Sequence, residues 1–187
     1  QAYDDYVIKN NKTIDDFDYF VFHTPYPKMA SYAIASLLIH HLRDSEEWLK
    51  IQKDIGKEPE LPKGIGSLEY MKSNRDYIKK YFEFNRKFRS TDKFKNFFDK
   101  KVKPSLRSIP YIGNIYTASI FLGLSSLIEG ESIKNTKIGF GGFGSGASAI
   151  IYDGIIKEGR NLELGEQIVW RGRLSIDNYE LLRSRSR

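Results

Sequence analysis

The stretch Phe17-Asp-Tyr-Phe-Val-Phe-His-Thr-Pro-Tyr-Pro-Lys28 constrains the fold of this chain more than any other. An aromatic, apolar run of strand length ends on a histidine, two prolines stiffen the turn after it, and a helical pattern follows at once. Residues 17–23 are therefore predicted to form a strand buried on both faces, and residues 28–43 a helix. Strand-then-helix is the unit of a layered α/β fold. Open sheets of that class gather ligands at the carboxyl ends of their strands, and His23 stands at such an end. A lone histidine in an aromatic strand is more often a satisfied core residue. The rigid turn through Pro25 and Pro27 favours a functional one, because it can hold the imidazole in one orientation as a hydrogen-bond donor or general base.

The rest of the chain fits the same class. Residues 1–10 read as the end of a helix closed by Asn10-Asn11, with a capped turn from Thr13 to Asp16. Residues 44–104 are rich in Lys, Glu, Asp and aromatics and are broken by Gly56 and the Pro59/Pro62/Gly64/Gly66 cluster. They are expected to be short helical pieces inserted into a single domain spanning 1–187, with Tyr77, Tyr81, Phe82, Phe84, Phe88, Phe94, Phe97 and Phe98 packing as local core. A turn then precedes an apolar helix from about Tyr116 to Glu129. Its small residues Ala118, Ser119, Gly123, Ser125 and Ser126 allow close packing. Lys137 to Phe143 begins as a strand and turns glycine-rich, and residues 148–156 read as a second buried strand. Residues 170–187 look like a polar, basic tail. So few strands leave a sheet edge or face bare, so the chain is expected to pack on another or complete a larger fold.

Composition excludes several chemistries. The 187 residues contain no cysteine, which removes disulfides, thiolate metal ligands and a cysteine nucleophile. No run approaches the roughly 20 apolar residues of a membrane span. The start has neither the basic nor the apolar region of a signal peptide, so a cytoplasmic location is expected, and the missing initiator Met implies processing or a preceding segment. The net charge of +6 favours anionic partners without choosing among them. The basic residues are scattered and no nucleic-acid motif is present, so neither nucleic acid nor membrane is expected as a partner.

Three further features invite a chemical reading. His40-His41 are adjacent on a helix, point to different sides and cannot jointly clasp a metal, so no metal site is expected. Gly139-Phe-Gly-Gly-Phe-Gly-Ser-Gly-Ala147 has a dinucleotide-like spacing but leads into a strand, not a phosphate-binding helix. It reads either as a structural turn or as backbone that approaches a ligand closely, with Ser145 as a donor. Asn114, ahead of the small-residue helix, is either a plain N-cap or a carboxamide offered to a substrate carbonyl.

Taken together and in this order, Phe22-His-Thr-Pro-Tyr-Pro-Lys28, Lys103-Pro-Ser-Leu-Arg107, Gly113-Asn-Ile-Tyr-Thr-Ala-Ser119, Gly144-Ser-Gly-Ala147 and Arg173-Leu-Ser-Ile-Asp-Asn-Tyr-Glu180 resemble the carboxyl-terminal half of 3-hydroxy-3-methylglutaryl-CoA synthase, of the thiolase superfamily. The resemblance covers essentially the whole chain. It implies half of a five-layer α/β/α/β/α fold with a helical insertion at 44–104. It implies condensation of acetyl-CoA with acetoacetyl-CoA, a step of the mevalonate pathway, with CoA thioesters as substrates and no cofactor. His23 falls on the family's acceptor-orienting histidine and Asn114 on its carbonyl-binding asparagine, the two catalytic assignments. Lys28 falls on a CoA contact and Ser145 on a residue near the product carboxylate. Tyr116 and Gly144, in the same motifs, complete the substrate-binding set. The family's nucleophilic cysteine and catalytic glutamate belong to the amino-terminal half and match nothing here. The chain is thus expected to be inactive alone, as a split or processed piece whose partner supplies both groups, the complete fold being a dimer. Relatives that install β-branches on carrier-bound polyketides, and a non-catalytic scaffold, are the alternatives.

Overall fold

Alternation along one short strand sets the layers. The computed structural model describes residues 2–60, 75–131, 133–144, 148–159, 163–169 and 174–185. Helix α1 (Ala2–Asn10) ends at Asn11, which adopts a left-handed φ of 49°. A 3-10 turn (Ile14–Asp16) follows, opened by a capping box between Thr13 and Asp16. Strand β1 (Tyr19–Phe22) then leads to α2 (Lys28–Leu42). Phe20 and Phe22 face one side and join a core with α2, whereas Val21 faces the other and packs with Ile120, Leu127 and Ile138.

Among the described residues, the charged, aromatic region folds as α3 (Glu46–Ile55), α4 (Arg75–Ser90) and α5 (Asp92–Lys101), and the break expected at Pro62, Gly64 and Gly66 lies outside them. Trp48, Phe84, Phe88 and Phe94 from these helices enter the same core as Phe20 and Phe22, and Phe97 and Phe98 pack against it, whereas Phe82, expected in the same stripe, is exposed. A second 3-10 turn (Lys103–Leu106) and the one-turn α6 (Ile109–Ile112) carry the chain to α7 (Ala118–Gly130) on the Val21 side of the sheet. Strands β2 (Lys134–Gly144) and β3 (Ser148–Glu158), and helices α8 (Leu164–Val169) and α9 (Ile176–Arg185), complete the described chain. The sheet order is β1-β2-β3, with β1 and β2 parallel and β2 and β3 antiparallel.

The glycines of β2 answer to β1. Phe20 pairs in register with Gly139 and Phe22 with Gly141. A Cβ at those glycines would stand 2.6 and 2.5 Å from the two phenyl rings. Bare backbone is needed there because the rings lie over it, a packing reason for Gly139 and Gly141 that requires no ligand.

Two expectations about the second half also change. Strand β3 was expected to be buried, yet most of it is exposed. Helix α7 covers β1 and β2, so on its side Ile150 is 60% and Tyr152 is 41% accessible. The expected polar tail contains α9, whose Ile176, Tyr179, Leu181 and Leu182 are all exposed. Phe121 on α7 is 67% exposed. Apolar side chains bared on a strand and two helices mark surfaces that lack a covering layer among the described residues.

One ion pair ties the amino-terminal segment to β3. Lys12 Nζ lies 2.5 Å from Asp153 Oδ2. The ammonium holds the Asp153 carboxyl below its ordinary range, against the opposing effect of burial. A carboxylate depressed on folding adds stability above its unfolded pKa and loses it as pH falls through the folded one. Lys12→Ala is therefore expected to destabilise the protein at pH 7 by about 0.5–1 kcal/mol. The difference should shrink below about pH 4. Urea unfolding at pH 7 and pH 3 checks this.

Candidate active site

His23 lies one residue past β1, and its backbone N–H extends the ladder by donating to Gly141 O at 2.8 Å. Strand alternation turns its side chain the same way as Val21, toward α7. There Nδ1 meets Ser119 Oγ at 3.0 Å. The Thr24 N–H donates to the same oxygen at 3.0 Å, so Ser119 binds both the ring and the start of the proline turn. Phe143, near the end of β2, packs edge-to-face on the imidazole with centroids 5.5 Å apart.

The ring borders an open cleft of about 560 Å³, lined also by Tyr116, Ile120, Phe143, Gly144 and Tyr152. Three predicted site residues, His23, Tyr116 and Gly144, thus meet here. Tyr116 has a left-handed φ of 53°, uncommon for a residue with a Cβ. Asn114 stabilises it: its Oδ1 accepts the Tyr116 N–H at 2.9 Å. The N-cap position of α7 is Thr117, so Asn114 is not a plain N-cap, and its carboxamide N–H groups have no hydrogen-bond acceptor among the described residues. It sits in the loop bordering the cleft and is not part of the lining. Lys28 is exposed at the first residue of α2, also outside the lining. Ser145 lies outside the described residues.

The other two histidines are occupied. His40 Nε2 lies 2.6 Å from Asp4 Oδ1 and its Nδ1 2.9 Å from Arg43 Nη1. His41 contacts Asp15 Oδ2 at 3.0 Å and the Tyr3 hydroxyl at 3.4 Å. Among the described residues, no group of three or more His, Cys, Asp or Glu is placed to hold a metal, and no helix is long and apolar enough to cross a membrane.

Sequence reasoning missed Ser119, which it took only as a small packing residue. Its signal was present, since it closes the Gly113–Ser119 motif, but its partner is 96 residues away. Chemically, the cleft offers one oriented imidazole and no thiol. It can bind and polarise a carbonyl but cannot form a thioester with it.

Comparison with known proteins gives the arrangement a family. The family described as "Hydroxymethylglutaryl-coenzyme A synthase C terminal" matches residues 1–179. The hydroxymethylglutaryl-CoA synthase of Haloferax volcanii is 25% identical over 97% of this chain, which spans 42% of that relative. The mitochondrial synthase of Homo sapiens is 31% identical over 75% of the chain, covering 26% of its own length. Among solved structures, PksG from Bacillus subtilis, an HMG-CoA synthase, superposes with a TM-score of 0.62 at 22% identity, covering 97% of this chain and 36% of that one. An HMG-CoA synthase complexed with CoA gives 0.55 at 25% identity, covering 95% and 35%. The chain thus spans less than half the length of these relatives. It is thiolase-like in fold, and it belongs to the carboxyl-terminal domain family of hydroxymethylglutaryl-CoA synthases.

Proposed function

We propose that this chain is the acceptor-binding part of a hydroxymethylglutaryl-CoA synthase, which condenses acetyl-CoA with acetoacetyl-CoA for the mevalonate pathway. The observation that carries this reading is the His23 imidazole, fixed by Ser119 and Phe143 at the wall of a cleft in a chain with no nucleophilic thiol. The missing cysteine and the carboxylate that supports enolisation come from the amino-terminal part of the enzyme. The bare faces of β3, α7 and α9 support such a partner, because their apolar side chains need cover. The complete fold then forms the dimer.

In this reading acetyl is carried as a thioester on the partner's cysteine. Acetoacetyl-CoA enters the cleft with its ketone oxygen toward His23. The imidazole N–H stabilises the negative charge that grows on that oxygen as the acetyl carbanion equivalent adds to the ketone carbon. Tyr116 and Gly144 shape the acyl path, Asn114 supports it by holding the Tyr116 backbone, Ser145 is assigned to the product carboxylate by its motif, and Lys28 and the net charge of +6 suit CoA phosphates. No cofactor is required.

The assay is direct. The chain alone is expected to form no product from acetyl-CoA and acetoacetyl-CoA, and the enzyme assembled with its cysteine-bearing part to form it. Turnover by the chain alone overturns the reading. Chemistry on carrier-bound instead of CoA-bound acyl groups is the second reading, because one curacin-pathway HMG synthase of similar fold was solved with a donor carrier protein. Preference of the assembled enzyme for acetoacetyl-carrier over acetoacetyl-CoA would select it.

A further inference from the structure

We infer that Ser119 is a positioning residue that fixes the neutral His23 ring in its Nε2–H tautomer, so that the cleft is presented with a hydrogen-bond donor and not with a basic nitrogen. The inference deepens the proposed function and rests on its reading of His23.

A serine hydroxyl has one hydrogen to donate and two lone pairs to accept with. Ser119 is fully buried, so its hydrogen must find an acceptor inside the protein. The Thr24 N–H, at 3.0 Å, is a donor that cannot reverse its role, and it occupies one lone pair. The other polar atom within reach of Oγ among the described residues is His23 Nδ1, at 3.0 Å.

Two arrangements are possible. If Nδ1–H donated to Oγ, the oxygen would receive two donors and its own hydrogen would be stranded in a buried site. If the hydroxyl donates to Nδ1, every group is satisfied. A buried polar hydrogen without a partner is the costlier state, so the second arrangement is selected. With the Nδ1 lone pair engaged, the proton of the neutral ring resides on Nε2.

The other histidines sharpen the contrast. His40 and His41 have both ring nitrogens engaged by side chains of this chain. In His23 only Nδ1 is engaged among the described residues, and the ring borders the cleft. Phe143 packs on the ring and opposes a flip that would exchange the nitrogens. Ser119 can perform this task because α7 runs against the face of β1 that carries Val21 and His23, with Gly123 one turn on giving close approach: a Cβ there would stand 3.0 Å from Val21. A donor at Nε2 suits a ketone oxygen, which has lone pairs and no hydrogen.

The test reads the tautomer and the chemistry separately. In the assembled enzyme, with the histidines of this chain labelled with 15N, neutral His23 is expected to show a protonated, pyrrole-like Nε2 and an unprotonated, pyridine-like Nδ1. Ser119→Ala is expected to move the two shifts toward each other as the tautomers mix, and to lower kcat for condensation roughly tenfold, with Ser119→Thr restoring both. A protonated Nδ1 in the unaltered protein overturns the inference and needs no variant that must fold. So does an unchanged His23 tautomer in Ser119→Ala. If the tautomer shifts as expected while His23→Ala leaves condensation unchanged, the proposed function fails and the role of Ser119 in holding the ring stands.

Discussion

His23→Ala, placed in the enzyme assembled with its cysteine-bearing part, is expected to lower the condensation rate by about 10²–10³-fold, the usual cost of removing one donor from a site where oxyanion charge develops. The ring is the imidazole that borders the cleft, and it is held from two sides, by Ser119 at Nδ1 and by an edge-to-face contact with Phe143. Under the proposed function, alanine removes the donor and leaves the thioester chemistry of the cysteine-bearing part in place. Acetyl transfer from acetyl-CoA to the enzyme should therefore survive while carbon–carbon bond formation falls. His23→Gln keeps an N–H donor at a similar reach and is expected to retain more activity than His23→Ala. Radiolabelled acetyl-enzyme formation and product formation, measured on the same samples, separate the two steps. An unchanged condensation rate in His23→Ala would make this chain a scaffold.

Gly141→Ala is expected to destabilise the fold by about 2–3 kcal/mol, near the upper end of the range for overpacking a core. Its new methyl group would sit 2.5 Å from the Phe22 ring. Phe22 cannot easily yield, because it is almost fully buried and stacked on Phe20 with centroids 6.0 Å apart. Gly144→Ala is the control: its Cβ meets nothing within 4 Å, and its φ is not in the left-handed region. Its effect on stability should stay within about 0.5 kcal/mol. The double variant Gly141→Ala/Phe22→Leu should recover part of the loss, since the two sites share one contact. Equal costs at Gly141 and Gly144 in urea unfolding would contradict the ring-over-glycine account.

The strand that ends at His23, the helix after it and the capped turn before it were all legible because they are local. Each rests on residues within one short window: the Phe17–Phe22 run, the proline turn, and the Thr13–Asp16 capping box. The purpose of Gly139 and Gly141 was not legible, because the rings that demand them lie on a strand more than a hundred residues earlier. The exposure of β3 was hidden for the opposite reason. Its isoleucines and Tyr152 have the composition of a buried strand, yet Ile150 and Tyr152 are bare because no layer among the described residues covers their α7-side face, and Ile155 on the opposite face is exposed as well. The same holds for the leucines of α9, inside what looked like a polar tail. Tyr116 and Gly144 were singled out by motif position, and the fold places them at the cleft with His23. Asn114 stands beside it, with its carboxamide oxygen engaged by the backbone it supports.

The most direct measurement of the central claim is a crystal structure of the assembled enzyme, its nucleophilic cysteine replaced by alanine so that no turnover occurs, with acetoacetyl-CoA bound. The account predicts the ketone oxygen of the acetoacetyl group within about 3 Å of His23 Nε2, at hydrogen-bond distance, with the CoA chain leaving past Tyr116 and Gly144. An acetoacetyl group seated outside this cleft, with His23 Nε2 facing only solvent, would contradict it.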